Sequence, residues 1–168
     1  DNALHLGHIV MNYHQMDEPV CGCGDQAHLE ALVAGPAIAR EYGEQPPEVF
    51  RRCRSGEPQA MATIQRIAAI MAIGLYNAVA VLDSRLVIVG GSVSKNWLLL
   101  EPLVAEKFYS CFPALTREVV FKRSELDQYL GDMAGLSLVM PESWIADWQK
   151  RRPWQQAPET MVLEPELA

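Results

Sequence analysis

From Ala60 to Leu82 the chain is more apolar than anywhere else, alanine-rich and interrupted by Gln65, Arg66 and Asn77. Such a stretch suits the buried core helix of a globular protein better than a membrane span. A helix is therefore expected from about Pro58 to Leu82. Asp83-Ser84 then makes a turn, and "RLVIVGGSVSKN" changes the period: Leu86 to Val89 is a continuous apolar run of the kind found in strands covered on both faces. It ends in Gly90-Gly91 and leads into a helix from about Trp97 to Phe112. A long core helix, a buried strand, a Gly-Gly turn and a second helix restrict the chain to an α/β layer architecture.

The remaining pattern is consistent with that frame. "LHLGHIVMNYH" alternates loosely and predicts a strand over Leu6 to Tyr13, followed by a loop through "HQMDEPVCGCGDQ". Leu29, Leu32, Val33, Ile38 and Ala39 fit one helical face between Ala27 and Tyr42, with a bend or break expected at Gly35-Pro36. Pro47 is well placed in the first turn of a short helix ending near Cys53. "REVVFKR" at 117 to 123 predicts another strand, and "LGDMAGLSLVM" from 130 a closing helix. After Pro141 the tail, with Trp144, Trp148 and Trp154 and several prolines, reads as a helix and an irregular end. Residues 1–141 thus form the domain and 142–168 a C-terminal extension.

At 168 residues, 49% hydrophobic and 21% charged, the chain has the makeup of a folded soluble domain. Its net charge of -7 opposes nucleic-acid binding, which needs a clustered basic face. The short runs Arg51-Arg52-Cys53-Arg54 and Lys150-Arg151-Arg152 read as solvated surface. Four cysteines at 21, 23, 53 and 111 make a poor disulfide framework, so a reducing cytoplasm is expected. The first residue is Asp1 rather than Met, as expected of a cleavage product or a piece of a longer chain.

All four histidines (His5, His8, His14 and His28) fall in the first 28 residues, with Cys21 and Cys23 among them. Zinc takes four tetrahedral thiolate and imidazole ligands, and a Cys-x-Cys turn presents two sulfurs from one tight loop. His28 is placed to join them, and one upstream histidine would complete the set. Counting does not choose that histidine: on a strand, His5 and His8 would point to opposite faces.

"LGHIV", "CGCGDQAHLEALVAGPAI", "VAVLDSRLVIVGGSVSKN" and "LGDMAGLSLV" together resemble, in order and spacing, the C-terminal half of the ROK family of sugar kinases and sugar-responsive repressors. The resemblance spans about residues 3 to 140. It implies the C-terminal lobe of an actin-like (ribonuclease H-like) ATPase fold with a zinc-binding loop. In the family, a Glu-x-Gly-His element and a Cys-x-Cys-Gly-x-x-Gly-Cys-x-Glu element supply zinc ligands and sugar contacts. Carried onto this chain, His8, Cys21 and Cys23 match ligands, and His28 stands in place of the third cysteine. The implied metal set is His8, Cys21, Cys23 and His28. Ala27 replaces a family glycine, which would tighten the turn. Glu30 matches the final, sugar-contacting glutamate, and His8 also faces the sugar. His5 stands where the family has its other sugar-binding glutamate, so the implied substrate contacts are His5, His8 and Glu30. Imidazole offers fewer acceptors than a carboxylate, and the exchange bears directly on sugar preference.

The resemblance further places Gly90 and Gly91 at the nucleotide, with Gly74 and Asn77 as weaker candidates; the residues alone read as a tight turn. The family's Asp-x-Gly-x-Thr phosphate loop and catalytic aspartate have no counterpart here, so no catalytic residue is assigned and the chain alone is expected to be inactive. The expected function is the sugar- and nucleotide-binding lobe of an ATP-dependent kinase for a hexose or amino-sugar. The alternative is the sugar-sensing lobe of a ROK-type transcriptional repressor. Structural Zn2+, ATP with Mg2+ in a complete protein, a sugar ligand and self-association are the implied cofactors and partners.

Overall fold

Prolines and a glycine cut the first half of the chain into four helices: α1 (Leu29–Val33), α2 (Gly35–Tyr42), α3 (Pro46–Arg54) and α4 (Pro58–Leu82). This computed structural model describes residues 5–11, 19–126 and 129–151. Proline sits at the first or second position of α2, α3 and α4, where its missing N–H costs nothing. The expected break at Gly35-Pro36 is real: α1 ends at Val33, and Ala34 is extended. Asp83, in the left-handed region with φ 49°, ends α4.

After α4 come β1 (Leu86–Val89), a 3₁₀ turn (Val93–Asn96), α5 (Trp97–Ser110), α6 (Pro113–Thr116) and β2 (Val120–Arg123). β1 and β2 pair in parallel, with Leu86 opposite Val120 and Val89 opposite Arg123. Parallel strands need a crossover, and α5 with α6 supplies it. Helix α4 is long and apolar enough to cross a membrane, with a mean hydropathy of 1.5. Yet α1, α2, α3 and α5 all pack against it, so it serves as the spine of a core. Ile64, Ile67, Ala68 and Ala72 of α4 meet Ile38, Phe50, Leu100, Val104 and Phe108 in one buried cluster. Phe108 and Phe121 meet edge to face at 5.0 Å, joining α5 to β2.

Two expectations need correction. No strand spans Leu6 to Tyr13 as predicted: Leu6–His8 is a 3₁₀ turn, and only an isolated bridge pairs Val10 with His28. Residues 12–18, including Tyr13 and His14, lie outside the described residues. Nor is β1 covered on both faces, since Leu86 and Ile88 are 46% and 63% exposed. Its apolar run is continuous, but among the described residues only Val87 and Val89 pack against the core.

The chain divides into two compact units, Asp1–Ser124 and Glu125–Ala168. The second holds α7 (Leu130–Ser137) and α8 (Glu142–Arg151). Trp144 on α8 is exposed; the side chain of Trp148, and all of Trp154, lie outside what is described.

Candidate metal centre and neighbouring cleft

The segment from Val20 to Gln26 folds back on itself through a single bridge between its ends. Inside it the Cys21 N–H donates to the Asp25 carbonyl at 2.7 Å, and the Gly24 N–H to the Cys21 carbonyl at 2.9 Å. Gly24 has φ 101°, open to glycine and little else. A second fastening ties this loop to the chain's beginning: Met11 N–H donates to the Ala27 carbonyl at 2.9 Å and Leu29 N–H to the Ile9 carbonyl at 3.0 Å.

These fastenings bring the predicted ligands together. The Cys23 Sγ lies 3.2 Å from His28 Nδ1. The rings of His8 and His28 stack at 5.3 Å between centroids. His8 Nε2 is 3.5 Å from Glu30 Oε2, and the Cys21 thiol points to the same carboxylate oxygen at 3.9 Å. One ligand atom each from His8, Cys23 and His28 fall within 4.8 Å of one another, and so do those of His8, Cys21 and Glu30. His8 belongs to both triplets. Two thiols and two imidazoles with a carboxylate alongside form a donor set suited to tetrahedral zinc. Cys21 and His28 are buried and Cys23 is exposed. A hydrogen bond from the Cys23 backbone favours the Cys21 thiolate, but burial, the Cys23 thiol and the Glu30 charge outweigh it and raise the thiol above its ordinary value.

His5 does not point away from His8, as it would on a strand. Positions three apart eclipse in a 3₁₀ turn, and the two rings meet edge to face at 5.4 Å. His5 also borders an apolar hollow of about 500 Å³ with Leu6, Ile9, Ala78, Val81 and Leu82. Asn77 lines this hollow and not the cleft beside the Gly-Gly turn. Gly74, the other weak nucleotide candidate, is buried under Leu29.

At the end of β1, Gly91 has φ 82°, which accounts for glycine there. Its carbonyl accepts from the buried Ser94 hydroxyl at 2.7 Å, which fixes the turn. The residues just beyond it, Ser92, Lys95 and Asn96, face Pro46, Phe50 and Arg54 of α3 across a cleft of about 420 Å³. Arg54 donates to Asn96 Oδ1 at 2.9 Å. Sequence reasoning missed Arg54, Lys95 and Asn96. It read Arg51 to Arg54 as one solvated run, whereas Arg51 and Arg52 pair with Glu48 and Arg54 goes its own way. No local signal sets Arg54 apart, because it stands three residues after Arg51 and close to it on the helix surface; its partner Asn96 is distant in the chain.

A family model described as the ROK family matches residues 2–138. Glucokinase from Pyrobaculum calidifontis is 35% identical over 104 residues, covering 57% of this chain and 34% of the relative. N-acetylmannosamine kinase from Escherichia fergusonii is 35% identical over 96 residues, covering 54% of this chain and 32% of the relative. Among solved structures, the ROK hexokinase from Thermus thermophilus superposes with a TM-score of 0.64 at 28% identity, covering 75% of this chain and 43% of that one. The chain spans about a third of the length of these curated relatives.

Proposed function

The chain belongs to the ROK family, and from that premise we propose that it is the C-terminal, sugar- and nucleotide-binding lobe of a ROK-type sugar kinase. The observation that carries this reading is the pair of close triplets, His8/Cys23/His28 and His8/Cys21/Glu30, that meet at His8. Zn2+ would be held by His8, Cys21, Cys23 and His28, and when bound it supplies a structural tie between the loop and the chain's beginning. His8 is then held with one ring nitrogen committed, so that the other is oriented for a sugar hydroxyl. The Glu30 carboxylate accepts hydrogen bonds from sugar hydroxyls. His5, packed on His8, adds one donor or acceptor where the family has a carboxylate.

The nucleotide lies against the Gly90-Gly91 turn, where the absence of side chains admits a close approach. Arg54 and Lys95 on the adjacent cleft provide positive charge for phosphate, and Phe50 provides an apolar wall. ATP with Mg2+ is the phosphoryl donor of the complete protein, whose other lobe must bring the phosphate loop and catalytic aspartate, because transfer needs charge stabilisation from both sides. A cytoplasmic location and self-association belong to the same reading, the former supported by four free thiols.

His5 in place of the family glutamate favours a second reading, a sugar-sensing lobe of a repressor, for which recognition without transfer suffices. Calorimetry on the complete protein tests the shared part: glucose or N-acetylmannosamine should bind, and Glu30→Gln should weaken that binding. Wild-type affinity in Glu30→Gln would falsify the role given to that carboxylate. Sugar-dependent ADP release separates the kinase from the sensor.

A further inference from the structure

Gly74 lies in the middle of α4, a helix otherwise rich in alanine, where glycine is less favourable than alanine. The neighbour above it gives the reason. A Cβ at Gly74 would stand 2.5 and 2.8 Å from the two methyls of Leu29 and 3.2 Å from its Cγ. Leu29 is only 6% exposed, so it has little room in which to retreat. It is also the first residue of α1, directly between His28 and Glu30. Through its N–H on the Ile9 carbonyl it holds the residue next to His8 as well.

We propose that Gly74 is a positioning residue for the metal centre: by letting Leu29 sink onto α4, it sets the imidazoles of His8 and His28 and the carboxylate of Glu30 against the two thiols. Three of the five converging side chains hang on Leu29, directly or through Ile9. Cys21 and Cys23 do not, because their turn is closed by its own hydrogen bonds. A methyl group at position 74 therefore moves one half of the donor set relative to the other. Helix α4 itself is expected to tolerate alanine well.

This inference rests on the metal reading above, and its test separates the two. Zinc affinity is measured by chelator competition, and the visible spectrum of the Co2+-substituted protein reports thiolate and imidazole geometry. Gly74→Ala should weaken zinc about tenfold, the scale of a lost orienting contact, and should alter the Co2+ spectrum while leaving helical content intact. Removing the obstructing side chain in Gly74→Ala/Leu29→Ala should restore much of the affinity. Wild-type affinity and spectrum in Gly74→Ala overturn the proposal, as does a loss that the double variant fails to relieve. If the parent protein binds no zinc, the metal reading fails by itself. The positioning claim is then read from the ring-proton shifts of the stacked His8 and His28, which must change in Gly74→Ala. Should the single variant not fold, the double variant must; a double variant that also fails to fold overturns the proposal.

Discussion

Ala27 has φ 59° and is buried, an uncommon conformation for a residue with a Cβ. Where the family carries glycine, this chain accepts left-handed strain of about 1–2 kcal/mol, offset by burying the methyl and by the bond from Met11 to the Ala27 carbonyl. The next residue, His28, is extended with φ -72°, and its Nδ1 lies 3.2 Å from the Cys23 Sγ. In the proposed centre, imidazole at this position would change the charge of the donor set without removing a ligand. The protein should carry about one zinc per chain, as four side-chain ligands require. Replacing both Cys21 and Cys23 with serine should abolish zinc in elemental analysis and lower the melting temperature. Metal retention in that double variant would show that the sulfurs are not ligands.

Among the elements, α3 is the joint between the core and the cleft. Its inner face buries Val49 and Phe50, and its outer face carries a charge network. Glu48 accepts from Arg51 and Arg52, each at 2.7 Å, and Arg52 reaches on to Glu44 at 2.9 Å and to the Tyr42 hydroxyl at 3.2 Å. These contacts clamp α3 to the end of α2. Hydrogen bonds from Arg51 and then Arg52 hold the Glu48 carboxyl down from its usual 4.5 to about 2. A depressed carboxylate contributes stability above its unfolded value, lost as pH falls through its folded one. The melting-temperature gap between the wild type and Glu48→Gln should therefore be full above pH 4.5 and close as pH drops towards about 2. A gap that persists at the acid end would assign the effect to packing.

On the scale of the molecule, the unit Asp1–Ser124 has a division of labour. Its hydrophobic cluster draws on α2, α3, α4, α5 and β2, and takes nothing from the segment between Val20 and His28. That segment is held by backbone bridges and by the converging donor side chains, so metal removal should act locally. After chelation, amide exchange should accelerate across residues 19–33 while α4 and α5 keep their protection. Equal acceleration throughout would mean that the metal supports the entire core.

Amino-acid order alone was sufficient for elements whose cause is local. The bounds of α4 follow from Pro58, a mostly apolar run and the Asp83-Ser84 turn, β1 from four consecutive apolar residues, and the break before α2 from Gly35-Pro36. Residue type and spacing also singled out Cys21, Cys23 and His28, side chains that the fold brings close to His8. Only the folded chain could decide that Leu6 to His8 coils into a 3₁₀ turn with both histidines on one side, that β1 leaves Leu86 and Ile88 open, and that Gly74 makes room for Leu29. Those outcomes depend on contacts between residues far apart in the chain, such as Leu29 and Gly74 or Val10 and His28, and a local pattern has no term for such neighbours.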